Sequence, residues 1–401
     1  MKPIYLDYQS TTPIDPRVQE AIAHAFTNLQ GNSSATHHVF GKAASDAVED
    51  ARAQVADAVG ARSHEIFFTS GATEANNLAL LGLAEFLKSQ GRTHLVSCQT
   101  EHKCVLASLE HLEQQGFTVT LLGVNGQGEL DLDELRGTIG PSTGLVSLMA
   151  ANNEIGILHP LPEITALCRE HDALFHTDAA QAIGKVPFSL TEIGADLVSI
   201  SSHKLYGPIG VGALFVRSKH RRKMAPLFHG GGQERGLRSG TVPSQLCVGF
   251  GEACRIGAAK LPEEAPRLSA YRDRFLATLQ DQLDGVHVNG ALERRLPGNL
   301  NLSFEAVDAE ALIMKVRDRL AISSGSACSA ASLEPSYVIR ALGLSTERAE
   351  SAVRISFGRF TTENEVDTAA DMLIQAVSSM RRIRNLGNYP ETADNPKVSS
   401  Q

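Results

Sequence analysis

Four short stretches carry residue types that could do chemistry. Lys204 closes the run Ser201-Ser202-His203-Lys204, which follows a short apolar segment. A partly desolvated lysine amine at such a place can form a Schiff base with a carbonyl compound. Asp178, in His176-Thr177-Asp178-Ala179-Ala180-Gln181, lies just past another apolar segment. A carboxylate there could hold a protonated heterocyclic nitrogen. Thr69-Ser70-Gly71-Ala72-Thr73-Glu74 joins a strand-like segment to a helical one. Such a junction aims backbone N–H groups at an anion, and Gly71 lets a phosphate come close. Finally, Ser323-Ser324-Gly325-Ser326-Ala327-Cys328-Ser329-Ala330 places a thiol among small residues with little to bury. Reactive cysteines need that access.

Taken singly, each feature has an ordinary explanation. Most lysines face solvent, an Asp or Ser before a helix is usually a cap, and an average cysteine is a small buried hydrophobe. The conjunction matters more. A lysine, an acidic partner and an anion cradle at successive strand ends are the set that pyridoxal phosphate requires. Of the other cysteines, Cys98, Cys168, Cys247 and Cys254 sit in apolar or helical settings and are expected to be buried. Cys104 follows His102 closely and is expected either to belong to the site or to pack beneath it. No C-x-x-C pair occurs, so spacing does not indicate a zinc or iron–sulfur ligand set.

The elements that must position these residues alternate in type. Ala44, Val48, Ala51, Val55 and Ala58 recur at helical spacing over 44–59. Short apolar runs at 66–69, 94–98, 119–124, 145–150, 173–176, 197–201 and 213–217 alternate with helical stretches at 73–88, 103–115, 132–138 and 161–171. This predicts an α/β layer with a mostly parallel mixed sheet flanked by helices. Near residue 257 the pattern changes: a long polar helix at 263–283, strands at 286–288 and 299–304, and an amphipathic helix at 363–384 predict a smaller α+β domain. The 401 residues are thus expected to form a large domain over 14–257 and a small one built from 1–13 and 258–385, with a polar tail over 386–401 expected to be disordered.

Lys plus Arg number 37 against 45 Asp plus Glu, a net charge of −8. That balance argues against nucleic acid as the main ligand. No run approaches the ~20 apolar residues of a membrane span, and the first residues lack a signal-peptide pattern. A cytoplasmic protein is expected.

The ordered blocks from Tyr5-Leu6-Asp7-Tyr8 to about Arg384 resemble one family closely. They include Phe68 to Glu74, Thr100-Glu101-His102-Lys103, Asn152-Asn153-Glu154-Ile155-Gly156, Asp178 to Gln181, Ser201 to Pro208, Gly230 to Thr241, Ser323 to Cys328 and Arg354 to Arg359. The chain resembles cysteine desulfurases of the NifS/IscS type, in the class V aminotransferase group of fold-type I pyridoxal phosphate enzymes. The resemblance implies that Lys204 holds the cofactor, that His102 stacks on its ring and moves protons, and that Asp178 pairs with the ring nitrogen. It places Gln181 on the ring hydroxyl, and Ala72, Thr73, Ser201 and His203 on the phosphate. Thr241 would reach the phosphate of the other subunit, so a homodimer is implied. Asn153 and Arg354 would serve the ring hydroxyl side and the carboxylate of L-cysteine. Cys328 would take the sulfur as a persulfide and pass it to an acceptor, such as an iron–sulfur scaffold, a tRNA-thiolation partner or a DNA-phosphorothioation partner. A selenocysteine lyase or another class V enzyme is the alternative, and Cys328 weighs against it.

Overall fold

The computed structural model describes residues 2–325 and 335–387. Its main layer is a seven-stranded sheet in the spatial order Ile66–Thr69, Gly212–Val216, Leu197–Ser201, Leu174–Asp178, Thr143–Ser147, His94–Cys98, Thr118–Leu122. The last five pair in parallel, and only Gly212–Val216 runs against its neighbours. Six strands therefore point their carboxyl ends toward one edge.

The strands read as short unbroken apolar runs because both faces of the sheet are covered. Phe68, Val96, Val146, Phe175 and Val198 enter one core together with helices Val39–Val59 and Ser244–Gln282. Their neighbours Phe67, Leu95, Leu145, Leu174 and Leu197 enter a second core against helices Ala72–Leu81 and Lys103–Gln114. This is the expected α/β layer.

A separate antiparallel sheet of Ala352–Ser356, Asn299–Phe304 and Val286–Val288 packs on helices Ala309–Val316 and Glu363–Gly387. Ile4 and Leu6 are buried in that same core, and Ile4–Tyr5 pairs in parallel with Leu320–Ala321. Among the described residues no helix is long and apolar enough to cross a membrane.

Three helices depart from the periodicity reading. The stretch expected as one helix over 73–88 is two, Ala72–Leu81 and Ala84–Ser89. The break falls at Gly82, where the backbone meets Ala225: Ala225 N donates to Gly82 O at 2.8 Å, and a Cβ on Gly82 would lie 2.9 Å from Ala225 O. The helix expected over 263–283 is the second half of a 39-residue helix, Ser244–Gln282, that continues through Pro262 and Pro266. Cys247, Phe250 and Cys254 anchor it in the main core, and Phe275 and Leu279 in the smaller one. Packing at both ends offsets the hydrogen bonds that the prolines remove. The helix expected to end near Arg384 runs to Gly387, so 386 and 387 belong to it and not to the expected tail, and residues 388–401 lie outside the described residues.

One buried ion pair joins elements that the sequence does not relate. The Arg52 guanidinium bonds both Glu234 carboxylate oxygens at 2.7 and 2.8 Å and the Ile66 carbonyl at 2.9 Å. Phe68 N donates to the same carboxylate at 2.7 Å. Glu234 and Arg235 hold positive φ of 48° and 55°, so the pair also fixes a strained turn. Arg52→Met leaves Glu234 buried without its cation. We expect a loss of about 3–5 kcal/mol, read as a lower urea midpoint at fixed protein concentration.

Candidate active site

The loops at the carboxyl edge of the main sheet enclose a cavity of about 370 Å³. Open α/β sheets bind ligands at this edge. Ile66–Thr69 delivers Ser70 and Gly71 to it, and helix Ala72–Leu81 begins there with Gly71 as its cap. Gly71 sits at φ +152° and ψ −178°, a state that side chains disfavour. No atom lies within 4 Å of where its Cβ would be. On its other side Gly71 meets the sheet, since a Cβ on Gly212 would come within 2.7 Å of the Gly71 Cα. The turn is pinned by Glu74, which accepts from Ser70 N at 2.8 Å and pairs with Arg238 at 2.9 Å. The result is an open space before a helix amino terminus, lined by Ala72, Thr73, Ser201 and His203.

Leu197–Ser201 runs directly into a single turn, Ser202–Lys204. Lys204 Nζ donates to the carbonyls of Gln9 at 2.7 Å and Ser10 at 2.5 Å. The turn is held from below by Thr12, whose N and Oγ1 both donate to His203 O at 3.0 and 2.9 Å. The chain then leaves through Tyr206 at φ +62°. That strain is held in place from two sides. Tyr206 N donates to Thr12 Oγ1 at 2.7 Å, and the Arg359 guanidinium lies 4.1 Å above the Tyr206 ring. Burial, with the Lys204 and Lys185 charges, pushes the His203 imidazole down to about 4.

Asp178, at the end of Leu174–Asp178, is buried. Its Oδ1 accepts from Ala180 N at 2.9 Å and its Oδ2 from Asn76 Nδ2 at 2.6 Å. His102 caps helix Lys103–Gln114, with Nδ1 accepting from Cys104 N at 3.2 Å. Burial lowers the His102 pKa; the Asp178 charge opposes this and the Lys204 charge adds to it. Gln181 donates through Nε2 to Gln9 O at 2.9 Å, and its Oε1 accepts from Lys185 Nζ at 2.6 Å. Arg354 comes from the smaller sheet, yet it lines the same cavity. Its Nη1 donates to Asn153 O at 2.8 Å and its Nη2 to Asp7 Oδ1 at 2.7 Å. Its Nε and Asn153 Oδ1 are buried with no hydrogen-bond partner among the described residues.

This donor set fits pyridoxal phosphate. The open cradle at Gly71 suits a phosphate, Asp178 a protonated ring nitrogen, and Lys204 an aldehyde carbon. Ala72, Thr73, His102, Asn153, Asp178, Gln181, Ser201, His203, Lys204 and Arg354 all line the one cavity. Thr241 does not: it is exposed and stands apart from the lining. Cys328 lies outside the described residues. Cys104 lines the cavity instead of packing beneath it. Sequence reasoning missed Asn76, which orients Asp178, and the Gln9 and Ser10 carbonyls that receive Lys204. A buried asparagine among Ala and Leu in Ala72–Leu81 was the available signal for the first; backbone carbonyls leave none.

Residues 4–368 match the family model described as aminotransferase class-V. The chain is 48% identical over 384 residues to the cysteine desulfurase IscS of Rickettsia prowazekii (strain Madrid E), covering 96% of this chain and 93% of that one. A solved structure described as a NifS-like protein aligns with a TM-score of 0.88 at 34% identity, over 94% of this chain and 100% of the other. Another, described as SspA in complex with cysteine, aligns with a TM-score of 0.79 at 36% identity, over 90% of this chain and 100% of the other.

Proposed function

The chain belongs to the aminotransferase class-V family, and we propose that it converts L-cysteine to L-alanine and carries the sulfur on Cys328 to an acceptor. What supports this reading most is the meeting in one cavity of Lys204, Asp178 and His102 with Arg354, which the second sheet supplies. The described residues on either side of 326–334 reach the Arg354 strand and Glu154. Ser323 pairs with Arg354, and Ser336 Oγ donates to Glu154 Oε2 at 2.5 Å. A Cβ on Gly325 would lie 3.0 Å from that carboxylate oxygen.

The cofactor of this family is pyridoxal phosphate. Ala72, Thr73, Ser201 and His203 would hold its phosphate, Asp178 its ring nitrogen, Gln181 and Asn153 its ring hydroxyl, and His102 its ring face. Lys204 would hold it covalently through Nζ. When bound it supplies an electron sink that acidifies the substrate Cα and weakens the Cβ–S bond.

The chain's own groups do the rest. Arg354 takes the substrate carboxylate; a guanidinium fork suits this better than an ammonium. Lys204 Nζ takes and returns a proton at the substrate carbon. His102, kept neutral by burial, accepts and delivers a proton on the ring side. The Cys328 thiolate bonds to the substrate sulfur as the Cβ–S bond breaks. The electron pair stays with the carbon fragment, which takes a proton and leaves as alanine, and the persulfide remains on Cys328.

We also propose a homodimer in which Thr241, exposed on its own subunit, completes the neighbour's phosphate site. The acceptor is a sulfur-accepting protein of iron–sulfur assembly, tRNA thiolation or DNA phosphorothioation, and the compartment is the cytoplasm.

The test is the yield of alanine and sulfide from L-cysteine with a reductant present. Equal amounts of both support the reading. Alanine from L-selenocysteine, with none from L-cysteine, would replace it with a selenocysteine lyase. Arg354→Gln removes the carboxylate fork. A charge-assisted hydrogen bond contributes about 1.5–3 kcal/mol, so KM for L-cysteine is expected to rise by about 10- to 100-fold while kcat changes less.

A further inference from the structure

Cys104 has no part in the roles given above, yet it stands where two of them meet. Its Sγ lies 3.0 Å from His102 Nδ1 and 3.1 Å from Asn76 Nδ2. Each neighbour belongs to a different part of the site. Asn76 bonds Asp178 Oδ2 at 2.6 Å, and His102 lines the cavity.

The direction of these bonds follows from what each group can give. An Asp carboxylate only accepts, so Asn76 must turn its NH₂ toward Asp178. The same NH₂ reaches Cys104, so the sulfur accepts there. The Cys104 backbone N–H donates to His102 Nδ1, so that nitrogen carries a lone pair. The thiol proton then has Nδ1 as its nearest acceptor among these partners. In a neutral ring with Nδ1 accepting, the proton sits on Nε2.

We propose that Cys104 is a positioning residue that fixes His102 as the Nε2–H tautomer and ties that ring, through Asn76, to Asp178. The chain of bonds runs from the Asp178 carboxylate through the Asn76 amide and the Cys104 thiol to the His102 ring. Burial, reinforced by the Asp178 charge, pushes the Cys104 thiol up to about 12, so it stays protonated and serves as a donor. The inference rests on reading His102 as the group against the cofactor ring.

Three replacements separate hydrogen bonding from packing. Cys104→Ser keeps a donor and an acceptor, Cys104→Val keeps volume and loses both, and His102→Gln removes the ring being positioned. The readouts, all on the holoenzyme, are the visible circular dichroism of bound pyridoxal phosphate, its dissociation constant, and kcat and KM for L-cysteine. Cys104→Val is expected to cut the dichroic band at least two-fold and kcat about 5- to 20-fold, the range of one to two hydrogen bonds, with KM within two-fold. Cys104→Ser is expected to stay within about two-fold of the wild type in every readout. In a His102→Gln background, Cys104→Val should change kcat by less than about two-fold, since coupled neighbours are non-additive.

A wild-type Cys104→Val enzyme overturns the proposal. So does a Cys104→Ser enzyme as impaired as Cys104→Val, because packing would then be the whole role. If His102→Gln shifts the dichroic band and Cys104→Val does not, only this inference falls. If His102→Gln itself leaves the band and kcat unchanged, the reading of His102 falls and takes the inference with it. Should Cys104→Val not fold, Cys104→Ala is measured against Cys104→Ser by the same criteria.

Discussion

Lys204→Ala is expected to lower alanine formation from L-cysteine by at least about 10³-fold, within the 10²–10⁴ that positioned acid–base groups contribute. The geometry makes Lys204 hard to replace. Its amine is placed by the turn Ser202–Lys204, which Thr12 holds from below and Tyr206 closes at positive φ. The nearby basic groups do not stand in for it. His203 is pushed down to about 4 and is neutral at pH 7, while the Arg354 guanidinium is engaged by Asp7 and Asn153. Lys185 is held by Gln181, and burial, with Lys204 and Arg354 beside it, lowers its pKa well below the usual lysine value. Pyridoxal phosphate should still bind the variant through the phosphate cradle and Asp178, but become removable by dialysis and lose the absorption band of the lysine-linked form. An added small primary amine should restore part of the activity, because the missing group is chemical. A variant that keeps wild-type alanine formation, or that recovers nothing while folded, would remove Lys204 from its assigned role.

How much of this was visible in the sequence depends on the kind of interaction. The α/β layer was legible because apolar runs four to six residues long alternate with helical spacing, and covered strands need no more than that. Lys204, Asp178 and the Gly71 turn were legible because each follows an apolar run, and the carboxyl ends of a parallel sheet share one edge. Arg354 could be placed in the site only through family resemblance, since nothing local says that a strand from the second sheet crosses to the first. The Arg52–Glu234 pair was invisible for the same reason: its partners are 182 positions apart, and each looks like a surface charge on a helix or loop. The continuous Ser244–Gln282 helix was misjudged because two prolines and a polar stretch outweighed, locally, the packing that holds both ends. Cys104 shows a finer limit. Its nearness to His102 is plain in the sequence, but only the fold brings Asn76 against the same sulfur.

Cys328→Ser is expected to abolish sulfide release, with alanine formation down by at least about 10²-fold, while the cofactor band stays at wild-type strength. The last point separates this variant from Lys204→Ala, for the groups that would hold the cofactor line the cavity among the described residues. No described cysteine is poised to take over. Burial pushes Cys98 up to about 11 and Cys168 up to about 12, and raises Cys247 and Cys254 as well. Cys104 does line the cavity, but burial and the Asp178 charge hold it at about 12. At pH 7 a thiol with that pKa is about one part in 10⁵ thiolate, and the thiolate is the nucleophile. The thiol expected to carry the sulfur is therefore Cys328, which lies outside the described residues. The measurement is alanine, sulfide and protein-bound persulfide from L-cysteine for both proteins, with and without reductant. Equal alanine from the two would mean that sulfur leaves the substrate without a protein nucleophile, and the enzyme would then be a lyase that eliminates sulfur or selenium directly.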